Sequence, residues 1–283
     1  MASSSGNDVV VVVGVGGMGE AISRRISAGR TVLLADLNLE LLARVAQTLT
    51  EDGFIVETEQ VDVSSRDSVS DLARRASALG AVRAVAHTAG LSPVQASAEA
   101  ILRVDLAGVA YSLDEFGSVI APGGAGVYVA SMAGHFTSRN LTSEVENALA
   151  TTPSDQLIDL PFLQPDAVAD TRAAYGLAKR GNQLRVQSAS AAWGTRGARV
   201  NSISPGVIVT PMGRQELAGE SEILMRQLIE SSATGRLGTS ADIANAAAFL
   251  LSSDASFITG TDLLVDGGAV AGIGAADIAR APG

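Results

Sequence analysis

Near its amino terminus the chain reads Val9-Val10-Val11-Val12-Val13-Gly14-Val15-Gly16-Gly17-Met18-Gly19. A continuous β-branched run is typical of a strand buried on both faces. The glycines and a helical pattern over residues 20–28 then predict a turn and a helix. A dinucleotide site needs this arrangement: Gly14 makes the turn, Gly16 lets a pyrophosphate approach the backbone, Gly17 and Met18 belong to the phosphate-binding turn, and Gly19 lets the helix pack on the strand. A purely structural tight turn is the alternative.

A second buried-type strand over residues 31–35 ends at Asp36, about 20 residues beyond the glycines, as in dinucleotide-binding folds. An acid at this position accepts hydrogen bonds from both ribose hydroxyls and repels a 2′-phosphate. The next residues, Leu37 and Asn38, offer no cation to hold such a phosphate. We therefore predict NAD in preference to NADP, with Asp36 and Leu37 at the ribose. The alternative is that Asp36 only caps the helix predicted from Leu39.

Strands and helices continue to alternate along the chain. The pattern predicts helices over 39–50, 67–79, 98–119, 171–193, 215–231 and 240–251, with Ser64 and Asp67 as a capping box, and strands over 54–61, 82–87, 126–130, 198–202 and 262–265. This predicts an α/β fold with a doubly wound parallel sheet in a single domain, residues 1–283. Ligands then bind beyond the carboxyl ends of the strands. That crevice should include Asp62 and Val63 after the third strand and Thr88, Ala89 and Gly90 after the fourth. His87 lies at the same strand end, where a packed or solvated side chain is favoured over a catalytic one.

Composition excludes several classes of function. The 283 residues carry a net charge of −10, which gives no basic surface for nucleic acid. The chain has no cysteine and two histidines, so thiol catalysis is excluded and a histidine-rich metal site is not expected. No secretory signal or membrane-spanning run is present in the sequence, which predicts a cytoplasmic protein without a membrane or nucleic-acid partner.

Within the helix predicted over 171–193, Tyr175 and Lys179 are four residues apart and therefore share one face. An ammonium near a phenol stabilises the phenolate and lowers the pKa of the phenol from ~10 toward working pH, where it can act as an acid or base. Such pairs also occur by chance as a packed ring beside a solvated charge. The pair acquires meaning only from the rest of the chain.

Taken together, these residues resemble the short-chain dehydrogenase/reductase family over nearly the whole chain. The matching features are the glycine loop, Asp62, Ala89-Gly90, Ser131, Tyr175 with Lys179, Asn201 to Gly206, and Val265-Asp266-Gly267-Gly268. The resemblance implies a Rossmann-like sheet of about seven strands and hydride transfer between a nicotinamide and a carbonyl or alcohol carbon. It implies that Tyr175 is the acid/base, that Lys179 binds the nicotinamide ribose and lowers the pKa of the phenol, and that Ser131 bonds the reacting oxygen. It also places Pro205, Gly206, Val207, Ile208 and Thr210 at the cofactor.

The chain departs from the family pattern at three places. The glycine loop is one residue shorter than usual, and Asp105 stands where the family commonly has an asparagine that helps hold a water in a proton relay. We expect a working but altered relay through Asp105, because an acid can accept from water but lacks the amide donor. The third departure is a long connection between Ser131 and Tyr175, with an inserted segment at about 134–170 that three prolines break into short helices and loops.

A similar enlarged segment is seen in the bacterial 3α-hydroxysteroid dehydrogenase/carbonyl reductase branch, which Ala191-Ala192-Trp193-Gly194 also resembles. This likeness makes steroids and other bulky apolar carbonyls candidate substrates. The family usually assembles as two or four identical subunits that pair through the helices containing Asp105 and Tyr175. We therefore expect residues 134–170 to form part of the substrate wall and to limit assembly to dimers.

The predicted function is that of an NAD-dependent oxidoreductase acting on a small-molecule secondary alcohol or ketone. The roles of Ser131 and Tyr175 agree with the chemistry, because reducing a ketone builds negative charge on oxygen and needs a hydrogen-bond donor and a proton. One alternative is a non-catalytic NAD-binding sensor or scaffold. Another is an epimerase or dehydratase that converts its substrate without net change in NADH.

Overall fold

The computed structural model describes residues 7–211, 213–214 and 222–273. Its strands are β1 (Asp8–Val13), β2 (Thr31–Asp36), β3 (Ile55–Gln60), β4 (Ala81–His87), β5 (Ala125–Val129), β6 (Arg199–Pro205) and β7 (Asp262–Val265). They form one parallel sheet in the order β3-β2-β1-β4-β5-β6-β7. The order reverses between β1 and β4, which opens a crevice at the carboxyl ends of the strands. The predicted fold class, a seven-stranded doubly wound sheet in a single domain, is confirmed.

The described helices lie on both sides of this sheet. They are α1 (Gly17–Ile26), α2 (Leu39–Glu51), α3 (Arg66–Leu79), α4 (Ala98–Ile101), α5 (Gly108–Val119), α6 (Met132–Ser138), α7 (Ser143–Thr151), α8 (Thr171–Thr195), α9 (Glu222–Ser231) and α10 (Ser240–Leu251), with short 3-10 turns at Leu157–Asp159, Pro161–Leu163 and Ser253–Ala255. The helix predicted over 98–119 is continuous, but a π-helical segment, Leu102–Ala107, joins α4 to α5. The start of the helix predicted over 215–231 lies outside the described residues.

Strand β1 is buried on both faces, as its valine run predicts. Val9, Val11 and Val13 pack in a core with residues of α3, α5 and α8. Val10 and Val12 point to the opposite core, which contains residues of α1, α2 and α10. The two apolar faces of one strand therefore hold both helical layers against the sheet.

The prediction that Ser64 caps the helix α3 is wrong. Ser65 is the N-cap of α3, and its hydroxyl accepts a hydrogen bond from the N–H of Ser68 at 3.4 Å. Ser64 instead bonds backward, because both its N–H and its hydroxyl donate to Asp62 Oδ1, at 2.9 and 2.6 Å. An aspartate that accepts from the residue two positions on forms its own turn, and this turn moves the start of the helix by one residue.

A third core lies between α8 and the segment 134–170, which consists of short helices and turns as predicted. Leu149 of α7 and Leu157 and Leu163 of the 3-10 turns are buried against Leu106 and Ala178. Arg185 of α8 donates to the carbonyls that end α7, those of Leu149 at 3.2 Å and Thr152 at 2.9 Å. The segment is thus packed onto the helix that carries Tyr175 and Lys179.

Within the described part of the chain, no helix combines the length and the apolar character that crossing a membrane requires.

Candidate active site

An open cleft of about 1030 Å³ runs along the carboxyl ends of β1, β2 and β4. Most of the cofactor residues predicted from sequence line it: Gly14, Gly16, Gly17, Met18, Asp36, Leu37, Asp62, Val63, Thr88, Ala89, Gly90 and Thr210. Sequence reasoning missed other lining residues, among them Glu20, Glu40, Arg44, Gln95 and Val104. None of the five belongs to a recognised binding motif, and each reaches the cleft only through the folded arrangement of its helix or turn.

Three glycines of the turn, Gly14, Gly16 and Gly19, are each required for a different physical reason. Gly14 has a φ of 85°, and a Cβ there would lie 2.4 Å from the N of Ala89. A Cβ on Gly19 would lie 1.9 Å from the carbonyl oxygen of Gly14, so this residue sits behind the turn and does not line the cleft. Around Gly16 a Cβ would meet no protein atom within 4 Å. The backbone at Gly16 is therefore open to a ligand, while Gly14 and Gly19 allow strand and helix to meet.

The first turn of α1 fits a pyrophosphate. The helix begins directly after Gly16, and no side chain caps its first N–H groups. Uncapped N–H groups at a helix amino terminus attract anions through both hydrogen bonding and the helix dipole. The residues present therefore fit a bound dinucleotide in this cleft.

Asp36 connects the glycine turn to the end of β2. Its Oδ2 accepts from the N–H of Val15 at 2.8 Å, and its Oδ1 accepts from the N–H of Asn38 at 2.9 Å. Asn38, and not Asp36, caps α2, because its side chain accepts from the N–H of Leu41 at 3.0 Å. The alternative that Asp36 is merely a helix cap is therefore wrong. Each carboxylate oxygen keeps a lone pair that can accept from a ligand.

A second cavity, of about 370 Å³, continues from the cleft, with which it shares Met18, Thr88, Gly90, Leu91 and Thr210. Ser131, Tyr175, Lys179 and Asp105 all line it, together with the predicted cofactor residues Pro205, Gly206, Val207 and Ile208. The fold thus brings together the ends of β4, β5 and β6 and one face of α8. These groups are far apart in sequence and meet only because the strands are parallel.

Ser131 is both a helix cap and a potential hydrogen-bond donor. It precedes α6 in extended conformation, and its Oγ accepts from the N–H of Ala133 at 3.2 Å. Because this bond uses a lone pair of the hydroxyl, the O–H is left to donate into the cavity. The structural role and the expected chemical role are therefore compatible in one side chain.

Lys179 and Asp105 form a buried ion pair. The Nζ lies 3.0 Å from Asp105 Oδ2, and the two side chains are 5% and 0% exposed. Oδ2 has no hydrogen bond of good geometry, so charge holds this contact, while Oδ1 accepts from the N–H of Leu91 at 2.7 Å. Lys179 Nζ also donates to the carbonyl oxygen of Val129 at 3.5 Å. In this chain the position that is commonly asparagine thus places a carboxylate directly on the lysine.

The pKa values of the pair follow from burial and mutual charge. Burial raises the pKa of Asp105, and the Lys179 ammonium and the Leu91 N–H offset only part of that increase. For Lys179, burial lowers the pKa, but Asp105 and then Tyr175 outweigh it, so the pKa of Lys179 is raised. The lysine is therefore held in its charged form beside the phenol.

The ion pair depends on local backbone geometry. Asp105 lies in the π-helical segment Leu102–Ala107, a kind of local widening that occurs often at functional sites. Gly90 faces the pair, because a Cβ there would lie 3.1 Å from Asp105 Oδ2 and 3.3 Å from Lys179 Nζ. A larger residue at 90 would push into both charged groups.

Tyr175 and Lys179 share one face of α8, as their spacing predicts. Lys179 Nζ lies 5.3 Å from the centre of the Tyr175 ring. This distance is within the range in which an ammonium is attracted to an aromatic ring and favours a phenolate.

The remaining wall of the cavity is mostly apolar, and apart from the contribution expected from the segment 134–170 its residues were not predicted. It includes Leu91, Pro93, Val94, Met132, Phe136, Leu228 and Ile273, and one further cation, Arg172. Of the segment 134–170, Phe136 is the residue that lines the cavity. The described part of that segment packs mainly on α8, away from the cavity.

His87 is the last residue of β4, and its side chain packs in the protein core. It is 0% exposed, and its ring is stacked on Tyr128 with 5.5 Å between ring centres. Burial, with a smaller effect of the Lys179 charge, lowers the pKa of His87 to about 3. His87 is therefore a neutral core residue, as the packed alternative predicts, and it does not line the crevice.

The geometry defines an α/β protein with a dinucleotide cleft that leads into a cavity containing a serine, a tyrosine and a lysine. Residues 8–143 match the family model described as short chain dehydrogenase, and residues 139–270 match the one described as Enoyl-(Acyl carrier protein) reductase. The chain is 45% identical over 262 residues to the short-chain dehydrogenase/reductase bsc3 of Alternaria brassicicola, with 93% of this chain and 95% of that protein covered. The chain belongs to the short-chain dehydrogenase/reductase family.

Two further proteins are similar to this chain. The (+)-cis,trans-nepetalactol synthase NEPS2 of Nepeta racemosa is 30% identical over 267 residues, with 93% of each chain covered. The solved structure of a short-chain type dehydrogenase/reductase from Mycobacterium ulcerans superposes with a TM-score of 0.73 at 24% identity, covering 94% of this chain and 90% of that one. The second similarity concerns the fold alone.

Proposed function

We propose that the protein transfers hydride between NAD and a secondary alcohol or its ketone, and that the carbonyl compound is bulky and apolar. The observation that carries the proposal is one cavity that contains Ser131, Tyr175 and the buried Lys179–Asp105 pair and opens into a cleft with an uncapped helix amino terminus. A nicotinamide supplies or accepts the hydride when it is bound.

Each side chain has a distinct task in this proposal. The Ser131 hydroxyl donates to the reacting oxygen and stabilises the negative charge that develops there during reduction. Tyr175 gives its phenolic proton to that oxygen during reduction and takes it back during oxidation. Lys179 stabilises the phenolate by its charge and would bond the nicotinamide ribose. Asp105 keeps Lys179 charged in a buried site. Its own negative charge partly cancels the electrostatic field of that ammonium at the phenol.

The preference for NAD is supported by the charge of the cofactor cleft. Four carboxylates line it, those of Glu20, Asp36, Glu40 and Asp62, and of the described lining residues Arg44 is the one cation. A 2′-phosphate adds negative charge beside these groups, whereas ribose hydroxyls donate to Asp36.

The apolar wall supports the choice of substrate class. Met132, Phe136, Val94 and Leu228 offer an apolar surface that an extended ring system can cover, and the same cavity contains the polar groups of Ser131, Tyr175 and Lys179. Cavities of this kind bind mainly through apolar contact and orient the ligand with a few polar groups. A steroid-like or similar polycyclic ketone combines a large apolar surface with one polar oxygen.

A second candidate is conversion without net redox change on the same site. The observation that favours it is the 30% identical relative that is named a synthase. A third, a non-catalytic NAD-binding sensor, is disfavoured because Ser131, Tyr175 and Lys179 all line one cavity.

The test is a panel of cyclic and acyclic ketones and secondary alcohols, assayed with NAD(H) and NADP(H) in parallel, beside a Tyr175→Phe variant. We expect turnover with NAD(H) that the variant lacks while still binding NADH. Binding without turnover on any compound would favour the sensor, and substrate conversion at constant NADH would favour the redox-neutral reaction.

We further propose that the segment 134–170 restricts assembly to a homodimer. Its leucines pack in a buried core against Leu106, in the π-helical segment, and Ala178 of α8. Because this core covers that face of the π-helical segment and of α8, the two cannot pair with a second subunit through it. A sedimentation measurement should give a dimer; a stable tetramer would refute this restriction.

A further inference from the structure

A buried glutamine, Gln183, is bonded to the backbone of Ser131. It lies on α8 and is 5% exposed. Its Nε2 donates to the carbonyl oxygen of Ser131 at 3.3 Å and to Ser204 Oγ at 2.9 Å. The same carbonyl accepts from the N–H of Gly134 at 3.0 Å. Gln183 therefore fixes the peptide group between Ser131 and Met132, where α6 begins.

The amide of Gln183 also lies flat against the first turn of α6. A Cβ on Gly134 would come within 2.8 Å of Gln183 Nε2 and 2.9 Å of its Oε1. The contact is so close that any displacement of the amide changes the space available to this turn. Because the Ser131 hydroxyl is oriented by its bond from Ala133 in the same turn, the position of the amide is transmitted to the hydroxyl.

Polar groups on two sides hold the amide in place. Asp262 Oδ1 accepts from Ser204 Oγ at 2.9 Å and from Ser202 Oγ at 2.6 Å, and its Oδ2 lies 2.7 Å from His135 Nε2. These bonds fix the serine that Gln183 contacts.

The other side of the amide is linked to the segment 134–170. Gln183 Oε1 accepts from Arg180 Nη1 at 3.1 Å, and Arg180 pairs with Glu146 at 2.7 Å. A continuous set of bonds thus joins α7 to the residue that carries the catalytic hydroxyl.

We propose that Gln183 is a positioning residue for Ser131: by clamping the Ser131 carbonyl and the Gly134 turn, it aims the Ser131 hydroxyl at the reacting oxygen. This inference rests on the proposed function for the role of Ser131. It adds a residue that touches neither substrate nor cofactor and lies outside both the cleft and the cavity.

The test is a double-mutant cycle with a matched control. Gln183→Met keeps the length and approximate volume of the side chain but removes the amide. Gln187→Met makes the same change one turn further along α8, at an exposed position. Both are made in the wild-type chain and in Ser131→Ala, and kcat and the KM values for alcohol and NAD are measured. If Gln183→Met does not fold, Gln183→Asn, which withdraws the amide by one methylene, replaces it.

We expect Gln183→Met to lower kcat by about 10- to 100-fold, the loss typical of a slightly misplaced catalytic group, with the KM for NAD unchanged. Gln187→Met should have no effect. In Ser131→Ala, Gln183→Met should cause no further loss, because no hydroxyl remains to be aimed. Full activity of Gln183→Met, or an equal loss in both backgrounds, would overturn the proposal.

Amide hydrogen exchange separates this inference from the proposed function. Gln183→Met should speed exchange at residues 132–134 whether or not the enzyme turns over the compounds tested. Unchanged exchange there refutes the clamp by itself. A wild-type protein without turnover, but with faster exchange in Gln183→Met, would count against the proposed function and leave the clamp standing.

Discussion

Replacing Asp105 with asparagine removes one charge from the buried pair while keeping the shape of the side chain. Two effects then compete. Without the carboxylate, the positive charge of Lys179 acts on Tyr175 with less opposition, which favours the phenolate. Burial of an unpaired ammonium is costly, however, so the free energy of unfolding of the variant should also fall, by up to about 3–5 kcal/mol.

The size of the first effect follows from the geometry. Lys179 Nζ lies 3.0 Å from Asp105 Oδ2 and 5.3 Å from the centre of the Tyr175 ring, so the carboxylate oxygen is at most about 8 Å from that centre. At an effective dielectric constant of ~20, a unit charge at this distance contributes about 2 kcal/mol, or roughly 1.5 pH units. Water in the open cavity weakens this field, and a shift of about one unit is expected.

The assay is kcat/KM for alcohol oxidation with NAD as a function of pH. Oxidation requires the phenolate, so the rate rises with pH, and removing the negative charge should move the rising limb to lower pH by about one unit. Asp71→Asn, which removes a surface carboxylate paired with Arg74, is the matched control and should not move the limb. A limb that stays in place would refute the effect of Asp105 on the field at the phenol, and a limb that moves to higher pH would show that its larger effect is to keep Lys179 charged.

Three further changes test the cofactor, the core and the inserted segment. Asp36→Asn should raise the efficiency with NADP relative to NAD by about tenfold, since it removes repulsion but keeps an acceptor for Val15, whereas Glu40→Gln should change the ratio less; equal ratios in both variants would contradict the ribose assignment. His87 has a lowered pKa in the folded state, so its contribution to stability is present above its unfolded value of 6.5 and is lost as the pH falls toward about 3. Between pH 7 and pH 5 the wild type should lose about 2 kcal/mol more unfolding free energy than His87→Phe, and parallel curves in urea titrations would contradict this. Leu149→Ala should cost about 2–5 kcal/mol, because Leu149 is fully buried against α8, and a loss below about 1 kcal/mol would show that the segment is not packed there.

The sheet could be predicted from sequence because its signals are local. The valine run of β1, the glycines after it and the alternating strand and helix patterns each reflect burial or backbone freedom at the residue itself. The ends of the strands were predicted less exactly. Strand β6 continues to Pro205 because Pro205 pairs with Val265 of β7. Pairing between strands that are distant in sequence leaves no local pattern.

Features that depend on tertiary contact could not be predicted. The π-helical turn at Asp105 is part of a helix that reads as regular in sequence, and its carboxylate meets Lys179 only in the folded chain. Gln183 has no motif, and its function follows from the carbonyl that it contacts. The apolar wall likewise comes from separate segments that the fold brings to one cavity, and the sequence predicted only that the segment 134–170, which contributes Phe136, would take part in it.

In the proposed reaction, hydride passes between the nicotinamide and a carbonyl carbon in the cavity of Ser131 and Tyr175. The direct measurement is a reaction of the wild-type protein with a cyclic ketone and [4,4-²H₂]NADH, followed by mass spectrometry of the product. We expect an alcohol heavier by one deuterium, and no such product from Tyr175→Phe. A converted product without deuterium, or a labelled alcohol formed equally well by the variant, would contradict it.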